Sequence, residues 1–310
     1  IHAFTGIEDF SALTYLNCRS NTPFPFSGQL NLSANNSLEY VDCSFNQLVV
    51  LNLSNSNNLE YLNCYSNQLA NLNLSNSNNL EYLDCGQNEL LNLDIQGANS
   101  LQTLICSSNY LPSLELTSNI ALISLFCGGN MLSNLDISAN TFLDSLSCEG
   151  NGLSSLDASN NTLKYLQCKF NGLSNLDLGD ASTLEYVNCK GNSLSNLNIS
   201  GAINLKHLDC QSNQIVSLDL NSSSDLTSLY CPYNYELTSL DLASNTSLTS
   251  LNCSGCNLSC LDISNNHLLD SLICDGNFME QLNLQNGNYN LYIEANNNTQ
   301  LHFIIFERNV

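Results

Sequence analysis

Thirteen of the fifteen cysteines recur at a nearly constant spacing. Cys18, Cys43, Cys64, Cys85, Cys106, Cys127, Cys148, Cys168, Cys189, Cys210, Cys231, Cys253 and Cys274 stand 20 to 25 residues apart, most often 21. Thiols in such a series could form disulfides, hold a soft metal or act as nucleophiles. Cys253, Cys256 and Cys260 come nearest to a metal-ligand spacing.

Other reactive types share the period. Asp94, Glu115, Asp136, Asp157, Asp177, Asp219, Asp241 and Asp262 form a carboxylate series, interleaved with Asn52, Asn73, Asn198 and Asn283. Stacked like charges repel, and a cation such as calcium could relieve them. Hydrogen bonding to neighbouring Ser and Asn, with solvation, does so without a metal. The expectation is therefore no cofactor, with weak calcium binding left open.

Aromatic and basic residues fall into two groups. Tyr15, Tyr40, Tyr61 and Tyr82 occupy the position three before the cysteine, with Phe45 and Tyr65 nearby and Arg19 at the edge. Thr103, Ser124 and Ser145 interrupt the series, and Tyr165, Tyr186 and His207 resume it. Four of the six basic residues, Lys164, Lys169, Lys190 and Lys206, fall around this second group and Phe170. Such a cluster in a chain of net charge −22 could take an anionic or polyhydroxylated ligand, for example an acidic glycan. The alternative is internal pairing, because Asp144, Lys164, Glu185 and Lys206 alternate in sign along one column. Catalysis finds little support. Of His2, His207, His267 and His302 only His207 lies in a variable position, and no nucleophile–base pair is identifiable.

What must position these residues is the repeat itself. The clearest copy starts at Leu59 and has the form LxxLxCxxNxLxxL[DN]L, closed by a small-polar turn. This pattern resembles the leucine-rich repeat, and more narrowly the nested class called IRREKO, in which LxxLDL echoes LxxLxC. The resemblance spans roughly Leu13 to Gly287. It implies a leucine-rich-repeat solenoid of the horseshoe superfamily, of a kind common in secreted or surface proteins of Bacteroidetes-type bacteria.

The residues support that fold independently. Leu62 and Cys64 share one side of an extended strand, and Leu72 and Leu74 repeat the arrangement half a coil later. Two parallel sheets follow, over about thirteen coils, with Leu59 and Leu69 at the corners. No stretch has the length and period of a long helix. The cysteines then replace a core leucine and behave as small hydrophobes. In-register thiols point the same way, so a disulfide ladder is not expected. Cys253 should face inward and Cys260 outward, which argues against zinc. The asparagine three after each cysteine, from Asn46 and Asn67 to Asn277, should turn inward and pair with backbone of adjacent coils, with Cys256 in its place once.

The whole chain reads as a single solenoid: an N-terminal cap over 1–12, repeats over 13–287, and a cysteine-free coil with a capping strand over 288–310. Phe4, Ile7 and Phe10 should cover the first coil, and Asn21–Gly28 is an insertion. Ile1 is not an initiator Met and no leader is recognisable, as expected of a processed chain. The acidity disfavours nucleic acid and anionic membranes, and no apolar run reaches membrane-span length.

The expected function is an extracellular or cell-surface module that recognises a protein or polysaccharide partner through the variable face of the first sheet. A structural or adhesive element without a specific small ligand is the alternative, and an enzyme acting on a glycan ranks below both.

Overall fold

A computed structural model describes residues 6–20, 25–179 and 181–306. The chain divides into two compact units, Ile1–Leu153 and Ser154–Val310. His2, Phe4 and the first four residues of the expected insertion, Asn21–Phe24, lie outside the described residues. The one helix described is a 3-10 turn, Ile7–Asp9, and no described helix is long and apolar enough to cross a membrane.

In the first unit seven three-residue parallel strands form the first sheet. They are Tyr15–Asn17, Tyr40–Asp42, Tyr61–Asn63, Tyr82–Asp84, Thr103–Ile105, Ser124–Phe126 and Ser145–Ser147. The second unit repeats the plan with Tyr165–Gln167, Tyr186–Asn188, His207–Asp209, Ser228–Tyr230, Ser250–Asn252, Ser271–Ile273 and Tyr292–Glu294. Register is strict, because a one-residue slip would turn each Leu and Cys outward. Leu62, Cys64 and Leu69 have no accessible surface, and Leu72 and Leu74 only 1 %. Burying each such leucine contributes about 1.5–3 kcal/mol, so the apolar columns hold each coil shut.

The inward asparagines tie each coil to its neighbour. The Asn88 amide donates to the carbonyls of Cys85, Gly86 and, one coil back, Cys64, at 3.0–3.2 Å. Its Oδ1 accepts from the N–H of Leu69 at 3.0 Å. Asn67, Asn109, Asn213 and Asn277 repeat the arrangement. Cys256, at the position without an asparagine, points its thiol at the Cys231 carbonyl from 3.3 Å.

A second inward column stands at the opposite bend, and the sequence reading had passed it over as a small-polar turn. Asn119 donates to the carbonyls of Ile95 and Ala98 at 3.0 and 2.9 Å, and Asn266 to those of Leu242 and Asn245. Here the side-chain oxygens of Asn119, Asn245 and Asn266 are buried without a partner. Half the amide is thus unused, which explains why Ser56, Ala98, Ala202 and Ser223 serve at the same bend.

The second sheet is not continuous, contrary to expectation. Among the described residues its strands pair only as Ser27–Asn31 with Gln47–Asn52, Asn71–Asn73 with Asn92–Asp94, Asn175–Asp177 with Asn196–Asn198, and Gln281–Asn283 with both Cys260–Asp262 and Phe303–Ile305. The carboxylate column explains much of this. Partners across the formed pairs are Asn73 with Asp94, Asp177 with Asn198 and Asp262 with Asn283. The Asn198 amide donates to Asp177 at 2.8 Å. Between Asp94, Glu115 and Asp136, and between Asp219, Asp241 and Asp262, two carboxylates would face each other, and no ladder forms there. Like charges directly opposite destabilise a sheet.

At the C-terminal end Phe303–Ile305 pairs with Gln281–Asn283 as the second strand of the last coil. The pleat that buries Leu272 and Leu282 continues into Ile293 and Ile304, which are 37 % and 44 % exposed. At the other end the 3-10 turn is held by the Asn35 amide, which donates to the carbonyls of Ile7 and Phe10. Phe10 itself remains exposed and does not cover the first coil.

The two asparagine columns should differ in worth. Asn88→Ala strands several buried backbone groups and should cost about 2–4 kcal/mol, whereas Asn119→Ala should cost about 1 kcal/mol. Urea unfolding of the two variants measures this, and equal losses would contradict the assignment of roles.

Candidate recognition face

Where a strand's third residue is Asp or Asn, its side chain accepts the N–H two residues on, as Asn63 does from Tyr65, Asp84 from Gly86, and Asn188 from Lys190, at 3.0–3.2 Å. The second-half carboxylates do the same, with Asp136 accepting from Ser138 N–H and Oγ and Asp262 from Ser264 N–H. Either residue offers the same oxygen, so the turn tolerates both. Bonds from the Ser138 side chain and backbone hold the Asp136 carboxyl below its ordinary value, and the Ser264 N–H leads the same effect on Asp262.

The chain then turns through a left-handed residue, two after the cysteine. Glycine takes this place at Gly129, Gly150, Gly191, Gly255 and Gly276. Phe45, Ser66, Gln87, Ser108, Phe170, Ser212 and Tyr233 take it in other coils, with φ between 49° and 60°. That conformation costs an L-residue roughly 1–2 kcal/mol. Bulky aromatics there are outliers, and strain kept on a surface marks a place to look for function.

In Ser154–Val310 the expected site residues separate into three rows. Tyr165, Tyr186 and His207 sit in register, their rings stacked at 4.6 Å with interplanar angles of 12° and 4°. Burial lowers the His207 pKa, with Asp209 opposing, so the ring is neutral at pH 7. Stacking occupies the facing π-surfaces and turns ring edges outward. Lys164 and Lys206 lie at the strand entry, where Lys206 meets Glu185 at 2.7 Å. Both partners of that pair are half-exposed, so it contributes at most about 1 kcal/mol.

Lys169, Phe170 and Lys190 lie beyond the other end of the strands. Five residues of extended chain, roughly 16 Å, separate Lys164 from Lys169, so the four lysines do not form one cluster. Phe170 rests against Gly191, where a Cβ would lie 2.6 Å from the ring, and yet is 53 % exposed. The ammonium groups of Lys169 and Lys190 stand 5.9 and 5.8 Å from the ring centroid. This corner combines an open aromatic surface with two cations.

In Ile1–Leu153 the tyrosines expected as a patch form a close stack. Tyr15, Tyr40, Tyr61 and Tyr82 follow one another at 4.4–4.6 Å and within 10° of parallel. Burial, then neighbouring tyrosines and acids, pushes the Tyr40 hydroxyl up to about 12, and burial with Asp84 does the same for Tyr82. The corner of this unit holds Phe45, with the Arg19 guanidinium 4.6 Å from its centroid and Tyr65 edge-on at 5.1 Å.

Tyr233 makes a third aromatic corner that the sequence reading passed over. It stands two residues after Cys231, as Phe45 and Phe170 do after Cys43 and Cys168. Reading that column alone would have found it.

The thiols are placed for packing. All fifteen are free, and Cys260 is the exposed one. Burial pushes Cys18, Cys106 and Cys168 up to about 12, so they remain protonated and unreactive. Cys253 is buried in the core while Cys260 lies exposed on a second-half strand, so the spacing that suggested a metal does not bring the three thiols together. Among the described residues no three His, Cys, Asp or Glu side chains converge as a metal-binding group. A hollow of about 440 Å³ along Ser154–Ser159 and Ser174–Gly179 presents Asp157 and Asp177, and neither histidine nor lysine lines it.

Two measurements check this geometry. A thiol reagent should label Cys260 alone in the native chain, and the buried column only after denaturation. Ser108→Gly, at φ 59° and exposed, should raise stability by about 0.5–1 kcal/mol. A loss of stability would show that the left-handed corner is not strained.

No family model matches the chain, and no curated protein matches it. Solved structures do. The functional domain of InlJ from Listeria monocytogenes, which includes a cysteine ladder, is 30 % identical with a TM-score of 0.81, over 91 % of this chain and 66 % of that one. This chain thus spans just under two thirds of that domain. A leucine-rich-repeat protein of Leptospira interrogans is 22 % identical with a TM-score of 0.75, over 88 % of this chain and 79 % of its own. An internalin, InlF, from Listeria monocytogenes is 20 % identical with a TM-score of 0.67, over 90 % and 83 %. The one-strand-per-coil sheet, the inward asparagines and these likenesses agree that the chain has the leucine-rich-repeat fold.

Proposed function

We propose that this chain is an extracellular recognition module, of the nested leucine-rich-repeat class its motif resembles, and that its ligand is an anionic glycan. The observation that carries the reading is the corner of Lys169, Phe170 and Lys190. A half-exposed ring on a left-handed residue lies within 6 Å of two ammonium groups in a chain of net charge −22. Ammonium groups bind a carboxylate or sulfate, and an open aromatic surface accepts the apolar side of a pyranose. Tyr165, Tyr186 and His207 extend the face with ring edges, and Lys164 and Lys206 border it.

A protein partner is the second reading, supported by the row of Tyr15, Tyr40, Tyr61 and Tyr82. Tyrosine edges and hydroxyls on a flat sheet suit a protein surface better than they suit a sugar, since the ring faces are already stacked. The solved structures of this fold compared above support binding in general and leave the class of partner to experiment.

The test is an array of neutral and acidic glycans, with and without calcium. Acidic glycans should bind, more weakly as salt rises. Lys169→Ala with Lys190→Ala should weaken binding at least about tenfold, since each charge-assisted contact contributes roughly 1.5–3 kcal/mol. Unchanged affinity in the double variant would refute the site. Binding that requires calcium would move the site toward the carboxylate column.

A further inference from the structure

Tyr233 and Tyr235 border an open groove in Ser154–Val310, floored by Asn192, Ser212, Asn213 and Gln214. Their ring centroids lie 6.4 Å apart, tilted by 48°, so the two rings form an angled wall. Both are well exposed, at 49 % and 65 %. Asn192 adjoins Gly191, the residue on which the Phe170 ring rests. The groove therefore starts one coil from the Phe170 corner, at Asn192, and ends at the tyrosine wall. Phe170 and Tyr233 occupy the same place in coils three apart, a separation of roughly 14 Å at ~4.8 Å per coil.

The floor is rigid and its polarity is selective. The amides of Asn192 and Asn213 are committed to the backbone, donating to Cys168 and Cys189 and to Cys189 and Cys210. Their oxygens accept from Leu173 and Leu194. The exposed polar groups left to meet a ligand are the Ser212 hydroxyl, the Gln214 carboxamide and the two phenols. Hydroxyls and an amide between aromatic walls suit a polyhydroxylated ring more than a peptide or a lipid. Tyr233 also holds φ 60°, a conformation that glycine supplies without strain in the next coil at Gly255. A ring kept there against that cost has a surface purpose.

We infer that this groove is an extended saccharide subsite. It takes the uncharged sugars of an oligosaccharide whose acidic sugar lies at Lys169, Phe170 and Lys190. The inference rests on the anionic-glycan reading of that corner. It assigns Tyr233 and Tyr235 to stacking and Ser212 and Gln214 to hydroxyl recognition. The ligand class is an oligosaccharide of at least three sugars that joins an acidic sugar to uncharged ones, because a single sugar cannot reach both aromatic ends.

Calorimetry with hyaluronan disaccharide, hyaluronan hexasaccharide and the uncharged cellohexaose tests this. The wild-type chain should bind the hexasaccharide at least about tenfold more tightly than the disaccharide. Tyr233→Gly with Tyr235→Ala should abolish that gain and leave the disaccharide affinity unchanged. Glycine suits the corner backbone, so this variant should keep the wild-type circular dichroism spectrum and melting temperature. Lys169→Ala with Lys190→Ala should weaken both hyaluronan ligands. A length gain that survives the tyrosine substitutions overturns the groove and leaves the lysine corner standing. Binding of cellohexaose that depends on the tyrosines, with no hyaluronan binding, supports the groove and overturns the anionic corner. Absence of binding by all three ligands overturns both.

Discussion

A buried asparagine amide at the first bend of the coil decides how each coil closes on its neighbour. The chain must turn there, and turning strips backbone carbonyls and N–H groups of their strand partners inside an apolar core. Asn88 shows the solution, with three donations and one acceptance joining its own coil to the preceding one. The bond set requires the chain to arrive through a left-handed residue, and that residue projects from the surface. The same requirement that closes the core therefore creates a row of corner positions. Glycine fills many of them, and Phe45, Phe170 and Tyr233 fill others at a conformational cost.

The two halves of the repeat look alike as text and behave differently as structure. In the first half the outward residues are mixed in type, and seven strands pair in each unit. In the second half the outward column is mostly acidic. The turn needs only a side-chain oxygen, which Asp and Asn offer equally, as Asp177 and Asn198 do to Gly179 and Ser200. The sheet distinguishes them, because an amide can donate to a neighbouring carboxylate and a second carboxylate cannot. Hydrogen bonding within the coil thus tolerates a choice that pairing between coils does not.

The aromatic residues carry the same lesson for the candidate site. Tyr61 and Phe170 are both aromatics in columns of the repeat, and the sequence treats them as one kind of surface. In the structure the strand tyrosines lie flat on one another at about one coil spacing, and their faces are consumed. Phe170 leaves the strand, rests on a glycine and keeps its surface open beside two lysines. The four lysines also divide between opposite ends of the strands, although they cluster in the sequence. Tyr233 shares the sequence column of Phe45 and Phe170, and what the structure adds is its left-handed backbone.

Period, fold class, the inward Leu and Cys columns and the asparagine at the bend were legible from residue types alone. Each follows from side-chain chemistry repeated at fixed intervals: apolar residues two apart must share a face, and a polar residue among them must find backbone to bond. Which second-half strands pair, how the last coil ends and which aromatic surfaces remain open emerged only from the packing of coil on coil. Those depend on what lies across from a residue in the adjacent coil, some twenty positions away, where one charge opposite another or one glycine beneath a ring changes the outcome.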